Sequence, residues 1–502
     1  MSISSRAGTD RRTTRSQHDP RARYLGVVAE LARRGTDAGG RQVMPYIAAR
    51  VSLGNVAQAM GKSRASLYKL WPTQHDFWVD LTMYLVYQND FSQHREEMPW
   101  RVARANHDRT PRPPTGETVD ALRVGGNIAQ EVVLNDIWVI VRAALLGYPA
   151  VPGFAALRQQ VEEIRLRDLA AQTNQVLDVM GHAAIKPFDA YDIAVAMWCF
   201  SDGVAIANRF LPDVAGIQLT LDDGEGPLDW GMISYASRTA LIGMTAPADD
   251  FDVSAAALGS GPDEASWPPI PSIDPNARWT LRQRDALAVA ADTFLASLQP
   301  AHGGSEELIV PEHLSVARVA RAAGVSRQAI YDVWPTPTEM MLDLFHHVRS
   351  AQRANLMRAF DVAFAARHTP PLDLVERIVE LAMGHADDSA DPRLTFLPDA
   401  ANPHVQRVFR AGHEQFVGAL CDRVDHLLGG QPLRDGVELT HVATLWAALL
   451  EGGRRMRRTN PSALRSGSAR EGRHSTIGAA ARALFEHSVD EAGAAPIGRV
   501  AP

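Results

Sequence analysis

The residues of this sequence that are best placed to do chemistry lie on the outer face of one short predicted helix. That face carries Arg64, Ala65, Ser66, Tyr68 and Lys69. Leu67, Leu70 and Trp71 of the same segment would point inward and anchor the helix. A short helix with a polar outer face, held behind a tight turn, can enter the major groove of DNA. The segment therefore indicates a helix-turn-helix that contacts double-stranded DNA.

The preceding residues supply the elements that would position this face. Ser52 is placed to cap a first helix that runs through Met60. Gly61 would end that helix, because glycine readily takes the positive φ found at many helix C-termini. Ser63 would cap the second helix, which runs to about Trp71. The first helix has a small apolar face that allows close packing, formed by Val56, Ala57 and Ala59.

The same pattern occurs a second time in the chain. Residues 51–81 align without a gap with residues 314–344, and 13 of the 31 positions are identical. A weaker echo relates residues 193–203 to residues 442–452, with Gly203 opposite Gly452 at a shift of 249. The chain is therefore predicted to be a duplicated module.

Most of the remaining sequence has the helical period, with apolar residues at i, i+3, i+4 and i+7, and no convincing alternating strand. The prediction is an all-α fold. Its divisions are a flexible basic arm (1–20), a first helix-turn-helix domain (21–95), a first helical regulatory domain (96–244), a Pro-rich linker (245–278), a second helix-turn-helix domain (279–348), a second helical regulatory domain (349–492) and a tail (493–502).

Charge restricts how such a chain could bind DNA. The net charge of −7 excludes a globally basic nucleic-acid binder, so any contact must use a local patch. Residues 1–81 hold 13 Lys or Arg against 6 Asp or Glu, whereas residues 279–344 hold 5 against 8. The second copy also has Asp332 where the first has Lys69. We therefore expect the first copy to be the main DNA anchor and the second to bind DNA more weakly or with a different specificity.

The arginine-rich arm fits either a minor-groove contact or a solvated tail.

Compartment signals are few. No uninterrupted apolar run reaches the length of about 18 residues that a membrane span needs, and no secretory signal is visible. The two cysteines, Cys199 and Cys421, lie in apolar helical patterns and are expected to be free buried thiols. A cytoplasmic protein of a bacterium with GC-rich DNA is the expectation, since 48 of the 51 basic residues are arginine.

Both copies share the pattern S-x-x-x-V-A-x-A-x-G-x-S-x-x-x-[LI]-Y-x-x-W, which resembles the TetR family of bacterial transcriptional regulators. The match to that family's recognition helix covers Ser63–Tyr68 and Ser326–Tyr331. The resemblance implies two DNA-binding heads, each on a helical body that binds a small effector and dimerises. The chain would then be a monomeric pseudo-dimer or a homodimer, and usually a repressor. Its dimer surface would pair residues 187–211 and 226–243 with residues 436–459 and 472–490.

The resemblance also implies roles by position. Base or phosphate contacts fall to Ser52, Arg64, Ala65, Ser66, Tyr68 and Lys69 in the first head, and to Ser315, Arg327, Gln328, Ala329 and Tyr331 in the second. Arginine suits guanine and glutamine suits adenine, so the operator should be asymmetric. This chain departs from the family at Gln74 and Pro337, where a phosphate-binding lysine is common.

Effector-pocket candidates are the aromatic and sulfur-containing residues of the two bodies. They are Trp138, Phe154, Trp198 and Phe200 in the first body and Met383, Phe396, Phe416 and Trp446 in the second. Residues of these types at helical spacing also pack ordinary cores, which is the alternative for each.

Two other functions stay open. A protein-interaction scaffold fits if the acidic second head has lost DNA binding. A helical metal-dependent enzyme has weaker support, because the cluster HADDSAD at residues 385–391 has no partner cluster and no catalytic motif accompanies it. We expect no cofactor, no metal and no membrane partner.

Overall fold

The computed structural model describes part of the 502 residues. The described residues are 51–74, 76–78, 80, 81, 84, 123, 126, 127, 130, 154–180, 182–211, 213, 216–222, 227–247, 280–298, 315–365, 371–384, 403–429, 431–464 and 475–489. Helices dominate them, which confirms the predicted fold class.

Five helices and four short strands of the first repeat are described from end to end, and helical residues are also described within 74–84 and 123–130. The complete elements are α1 (Leu53–Ala59), α2 (Arg64–Tyr68), α3 (Phe154–Met180), β1 (His182–Ala184), α4 (Ala190–Phe210), β2 (Gln218–Asp222), β3 (Pro227–Gly231), α5 (Met232–Gly243) and β4 (Thr245–Pro247). The second repeat has α6 (Leu281–Leu298), α7 (Val316–Ala323), α8 (Arg327–Tyr331), α9 (Pro337–Phe364), α10 (Pro371–Gly384), α11 (Pro403–Leu428), α12 (Leu439–Thr459), a 3₁₀ turn (Pro461–Ala463) and α13 (Thr476–Ser488).

The four strands were not expected from the sequence. They form two antiparallel pairs, β1 with β4 and β2 with β3. The signal for β2 was present, because Leu219 and Leu221 are buried while the residues between and beside them are exposed. The predicted linker also starts later than expected, because Thr245–Pro247 is held in the sheet with β1; residues 248–279 lie outside the described part of the chain.

One hydrophobic core runs through the helical bodies of both repeats, from Leu166 to Val489. The predicted regulatory domains therefore share a core instead of folding around one each. The buried residues of the two helix-turn-helix segments, such as Leu67 and Ile330, lie outside it. We call the two bodies with this shared core the platform; the helix-turn-helix segments do not contribute to that core.

The platform is centred on four helices that cross between the repeats. α4 packs extensively against α12, and α5 packs against α13. At the first crossing, a Cβ atom on Gly203 would overlap the backbone of Ala448, and a Cβ atom on Gly452 would overlap the backbone of Cys199. Both pairs of positions are related by the same shift of 249, so the crossing has approximate twofold symmetry and depends on glycine in each helix.

Polar groups fix the pairing of the repeats. The buried Thr476 hydroxyl donates to Asp192 Oδ1 over 3.0 Å, and the Tyr235 hydroxyl lies 3.0 Å from Ser488 Oγ. The helices of one repeat correspond to those of the other, but the residues that form these two bonds have no equivalents of the same type in the other repeat. Two copies of the same half could not reproduce these bonds, so the interface favours pairing of unlike halves.

Helix starts repeat the same symmetry. Asp189 caps α4 and forms a capping box with Asp192, and Glu438 caps α12 with His441 at positions shifted by 249. Such reciprocal caps satisfy amide groups that a helix N-terminus leaves unpaired. The duplication is therefore visible in local structure as well as in the sequence.

Glu163 on α3 joins the two repeats at another point. Its carboxylate accepts hydrogen bonds from the Tyr191 hydroxyl at 2.7 Å, from Asn460 Nδ2 at 2.9 Å and from Arg167 Nε at 2.9 Å. Burial by itself raises the pKa of this carboxyl, but the three hydrogen bonds and the Arg167 charge outweigh it and hold the pKa below the ordinary 4.5. Burial of the Tyr191 phenol, together with its hydrogen bond to Glu163 and the charge of that carboxylate, raises the pKa of Tyr191.

We expect Glu163→Gln to be less stable than the wild type at neutral pH, because the charged acceptor is lost. A carboxyl whose pKa is lowered by folding stabilises above its unfolded pKa and loses that contribution as the pH falls through the folded value. The difference in unfolding free energy between wild type and variant should therefore shrink below about pH 4.5. Chemical denaturation across pH measures it, and a difference that stays constant down to acid would contradict this role.

α4 also bears on the membrane question. Within the described residues, the stretch Ala190–Asn208 has the length and apolarity of a membrane span, and 72% of it is buried inside the protein. It packs against α3 and α12 as a core helix does. Neither cysteine forms a disulfide, as predicted; Cys199 on this helix is buried, as predicted, whereas Cys421 on α11 is only partly buried.

Candidate nucleic-acid interface

The first helix-turn-helix forms where the sequence predicts it. Ser52 caps α1, its side chain accepting from the Asn55 amide, and Ser63 caps α2 by accepting from the Ser66 amide. Gly61 between them has φ of 60°, the left-handed conformation that favours glycine. Both helices are slightly shorter than predicted, and Ala59 is exposed instead of packed.

The second helix-turn-helix repeats this geometry. Gly324 ends α7 with φ of 69°, and Ser326 caps α8 by accepting from the Ala329 amide. Ser315 occupies the cap position of α7 without a side-chain hydrogen bond and is half-buried. The two tight turns are thus alike, although the two first helices begin differently.

A tryptophan anchors each head to the helix that follows. Trp71 is buried and its indole Nε1 donates to Asp80 Oδ2 over 2.8 Å. Trp334 is buried and donates to Asp343 Oδ2 over 2.7 Å, at positions shifted by 263. Both aspartates are identical in the sequence alignment of the repeats, so a signal for this missed bond was present. The bond fixes the second helix of each pair relative to the body-side helix.

The outer face of α2 is basic and largely exposed. Arg64, Ala65 and Lys69 are exposed, and Tyr68 is 36% exposed. Arg64 Nη2 donates to the Tyr68 hydroxyl over 3.3 Å, with the guanidinium 5.6 Å from the centre of the tyrosine ring. Ser66 is half-buried, and its hydroxyl donates to the Ser63 carbonyl. Arginine, tyrosine and lysine are therefore presented together, whereas the serine is used inside the turn.

The outer face of α8 carries different chemistry. Arg327 and Gln328 are exposed, Tyr331 is 40% exposed, and Ala329 is half-buried. Gln328 Nε2 donates to Asp332 Oδ1 over 2.9 Å. This side-chain pair has no counterpart in the first head, where Ala65 and Lys69 occupy the two positions.

The charge difference between the heads is smaller at the helix pairs than over the predicted domains. Residues 52–69 contain Lys62, Arg64 and Lys69 and no acidic residue; residues 315–332 contain Arg318, Arg321, Arg327 and Asp332. The acidic excess of the second head lies in the flanking residues. Both helix pairs are therefore positively charged, the first by one unit more.

The structure explains the residues at the two positions where the sequence departs from the TetR-like pattern. Gln74 Oε1 accepts from the Leu53 amide, and Gln74 Nε2 donates to the Val51 carbonyl. Gln74 thus holds the start of α1 instead of offering a charge. Pro337 opens α9, a position where proline needs no hydrogen-bond partner, and Thr336 caps that helix.

The helix before the second helix-turn-helix has an unexpected neighbour. α6, which the sequence assigns to the second head, packs against α1 of the first head. Ala286, Leu287 and Ala290 are fully buried on it. The contact ties the start of the second repeat to the first head.

The candidate effector residues lie mostly in the shared core. Phe200, Met383 and Trp446 are buried in it, and Trp198 and Phe416 pack against its edge. Phe360 meets Trp446 edge to face at 5.2 Å between ring centres. The positions of these five agree with the core-packing alternative. Trp138 and Phe396 lie outside the described residues, and the side chain of Phe154 is not described.

The residues predicted to be a poor metal site, 385–391, also lie outside the described part. Among the described residues, no group of three or more His, Cys, Asp or Glu is placed to hold a metal ion.

No protein-family model matches the chain, and no curated protein matches it.

Proposed function

We propose that this chain is a sequence-specific DNA-binding transcriptional regulator built from two TetR-like modules. The observation that carries the proposal is the paired helix-turn-helix geometry. Each copy has a serine-capped second helix behind a left-handed glycine, a Trp–Asp anchor, and exposed arginine and tyrosine side chains. Two copies with matching internal bonds argue for a function of the outer face, because core packing needs neither the arginine nor the tyrosine.

The four-helix crossing supports a pseudo-dimer within one chain. The helices α4, α5, α12 and α13 fall within the segments that the family resemblance assigns to dimerisation. In that family the two heads sit on one face of DNA, about 34–36 Å apart on successive turns. Here the unlike halves would place two unlike heads on one asymmetric operator.

The regulatory part of the proposal follows the family. A small effector would bind a helical body and shift the positions of the heads, and repression would be the usual outcome in a bacterial cytoplasm. The asymmetric bonds of Asp192, Glu163 and Tyr235 between the repeats favour a monomeric chain. A second chain is not needed to complete the pair.

Titration of the purified chain with a pool of synthetic duplexes of random sequence, at several salt concentrations, tests DNA binding. We expect the logarithm of the affinity to fall linearly with the logarithm of the salt concentration, by about 0.9 per phosphate contacted. Binding that ignores salt, or no binding at low salt, would contradict the proposal and favour a protein-interaction scaffold.

A further inference from the structure

The side chain of Gln328 on α8 is held by a residue one turn further on. Its Nε2 donates to Asp332 Oδ1 over 2.9 Å, and both residues are exposed on the outer face of the second head. A carboxylate can only accept, so the contact fixes which end of the glutamine amide faces Asp332. The orientation of that amide is therefore set before any ligand arrives.

The amide that results is suited to one base. Nε2 carries two hydrogens, and the pair keeps a base-reading edge free when Asp332 Oδ1 accepts the one anti to Oε1. The other hydrogen and Oε1 then lie on the same edge of the amide. That edge matches adenine, whose N7 accepts a hydrogen bond and whose N6 amino group donates one.

We propose that Asp332 is a positioning residue that orients Gln328 to read an adenine in the half-site of the second head. The inference rests on the proposed DNA-binding function and deepens it. From its charge alone, Asp332 would be expected only to repel phosphate. The proposal gives it a second role, the orientation of Gln328. The first head cannot read this base in the same way, since it has Ala65 and Lys69 at the two positions.

A simpler role for the pair is helix stabilisation. A glutamine and an aspartate four residues apart stabilise an isolated helix slightly. Such a role would affect the stability of α8 without changing which base is preferred. The discriminating readout is therefore base preference, measured apart from overall affinity.

The experiment uses the full chain and a pool of synthetic duplexes with a random core, sequenced after selection. Gln328→Ala first identifies the base pair that Gln328 reads, as the position where preference for adenine is lost. A bidentate contact of this kind discriminates by about 5- to 150-fold. At that same position, Asp332→Ala should reduce the preference by about 2- to 10-fold, the share expected of one orienting hydrogen bond.

Asp332→Asn separates orientation from charge, because asparagine keeps an acceptor and loses the charge. We expect Asp332→Asn to retain more of the adenine preference than Asp332→Ala, although both relieve repulsion of phosphate. Lys69→Ala in the first head is the control: it should weaken overall binding and leave the adenine preference at the half-site of the second head unchanged.

Three results separate the inference from the function on which it rests. If Asp332→Ala raises affinity and leaves the adenine preference intact, Asp332 acts by charge alone and the inference is wrong. Equal loss of preference in Asp332→Ala and Asp332→Asn would also overturn it. If the wild type selects no sequence at all, the proposed function itself fails.

Discussion

Replacing Gly203 or Gly452 by alanine should destabilise the protein more than most single substitutions. An added Cβ would overlap the backbone of Ala448 or Cys199, and a backbone cannot move aside as a flexible side chain can. Overpacking of a core typically costs about 1–3 kcal/mol. We expect a loss in this range in the unfolding free energy for each variant, measured by chemical denaturation. The double variant should lose less than the sum, because the two glycines share one crossing.

Gly418→Ala provides the matched control. Gly418 lies inside α11, is exposed, and a Cβ there would meet no atom within 4 Å. Alanine is a better helix former than glycine by about 1 kcal/mol, so this variant should be more stable than the wild type. If Gly203→Ala and Gly418→Ala shift stability in the same direction, the close crossing of α4 and α12 is contradicted.

Arg64→Ala should cost more DNA affinity than Arg327→Ala. Arg64 stands in a helix pair with one more positive charge, near Lys69, and follows the arginine-rich N-terminal arm. Loss of an arginine that contacts a base typically costs about 1–3 kcal/mol of binding free energy. We expect Arg64→Ala to lie in the upper half of that range and Arg327→Ala in the lower half, in titrations with a selected duplex.

Lys186→Ala is the control for simple loss of charge. Lys186 is exposed in the turn between β1 and α4, outside both helix-turn-helix segments. Its removal should change affinity little. Equal losses for the two arginine variants would contradict the idea that the first head is the main anchor, and a loss as large for Lys186→Ala would contradict a head-specific contact.

The local structure of the heads could be predicted from the sequence because it depends on neighbouring residues. Ser63 and Ser326 form caps within three residues, and Gly61 and Gly324 take the positive φ that their positions require. Such signals act over a single turn of chain. They identify the helix pair without any knowledge of the remaining fold.

Contacts between distant residues could be predicted only in part. The matching of Gly203 with Gly452 was visible as a repeat, but the close approach of each to the opposite helix was not, because it depends on how two helices cross. The bond between Trp334 and Asp343 had a sequence signal, because both residues are identical in the two repeats. Nothing in the spacing of Gln328 and Asp332, by contrast, distinguishes that pair from ordinary surface residues.

The structure also changes how the duplication is understood. The sequence predicts two unequal modules that pair, each with its own regulatory domain. In the structure the two bodies share one core and are bonded through unlike partners such as Asp192 and Thr476. Each half would expose a large apolar surface alone. A duplicated chain whose interface has diverged always carries one copy of each of two different heads. A homodimer carries two identical heads.

The most direct test of two unlike heads in one chain is to sequence the duplexes that the purified chain selects and to measure the mass of the complex. We predict one chain per duplex and an asymmetric sequence, with two differing half-sites about one helical turn apart. A perfect palindrome bound by one chain, or a complex that contains two chains, would contradict the account.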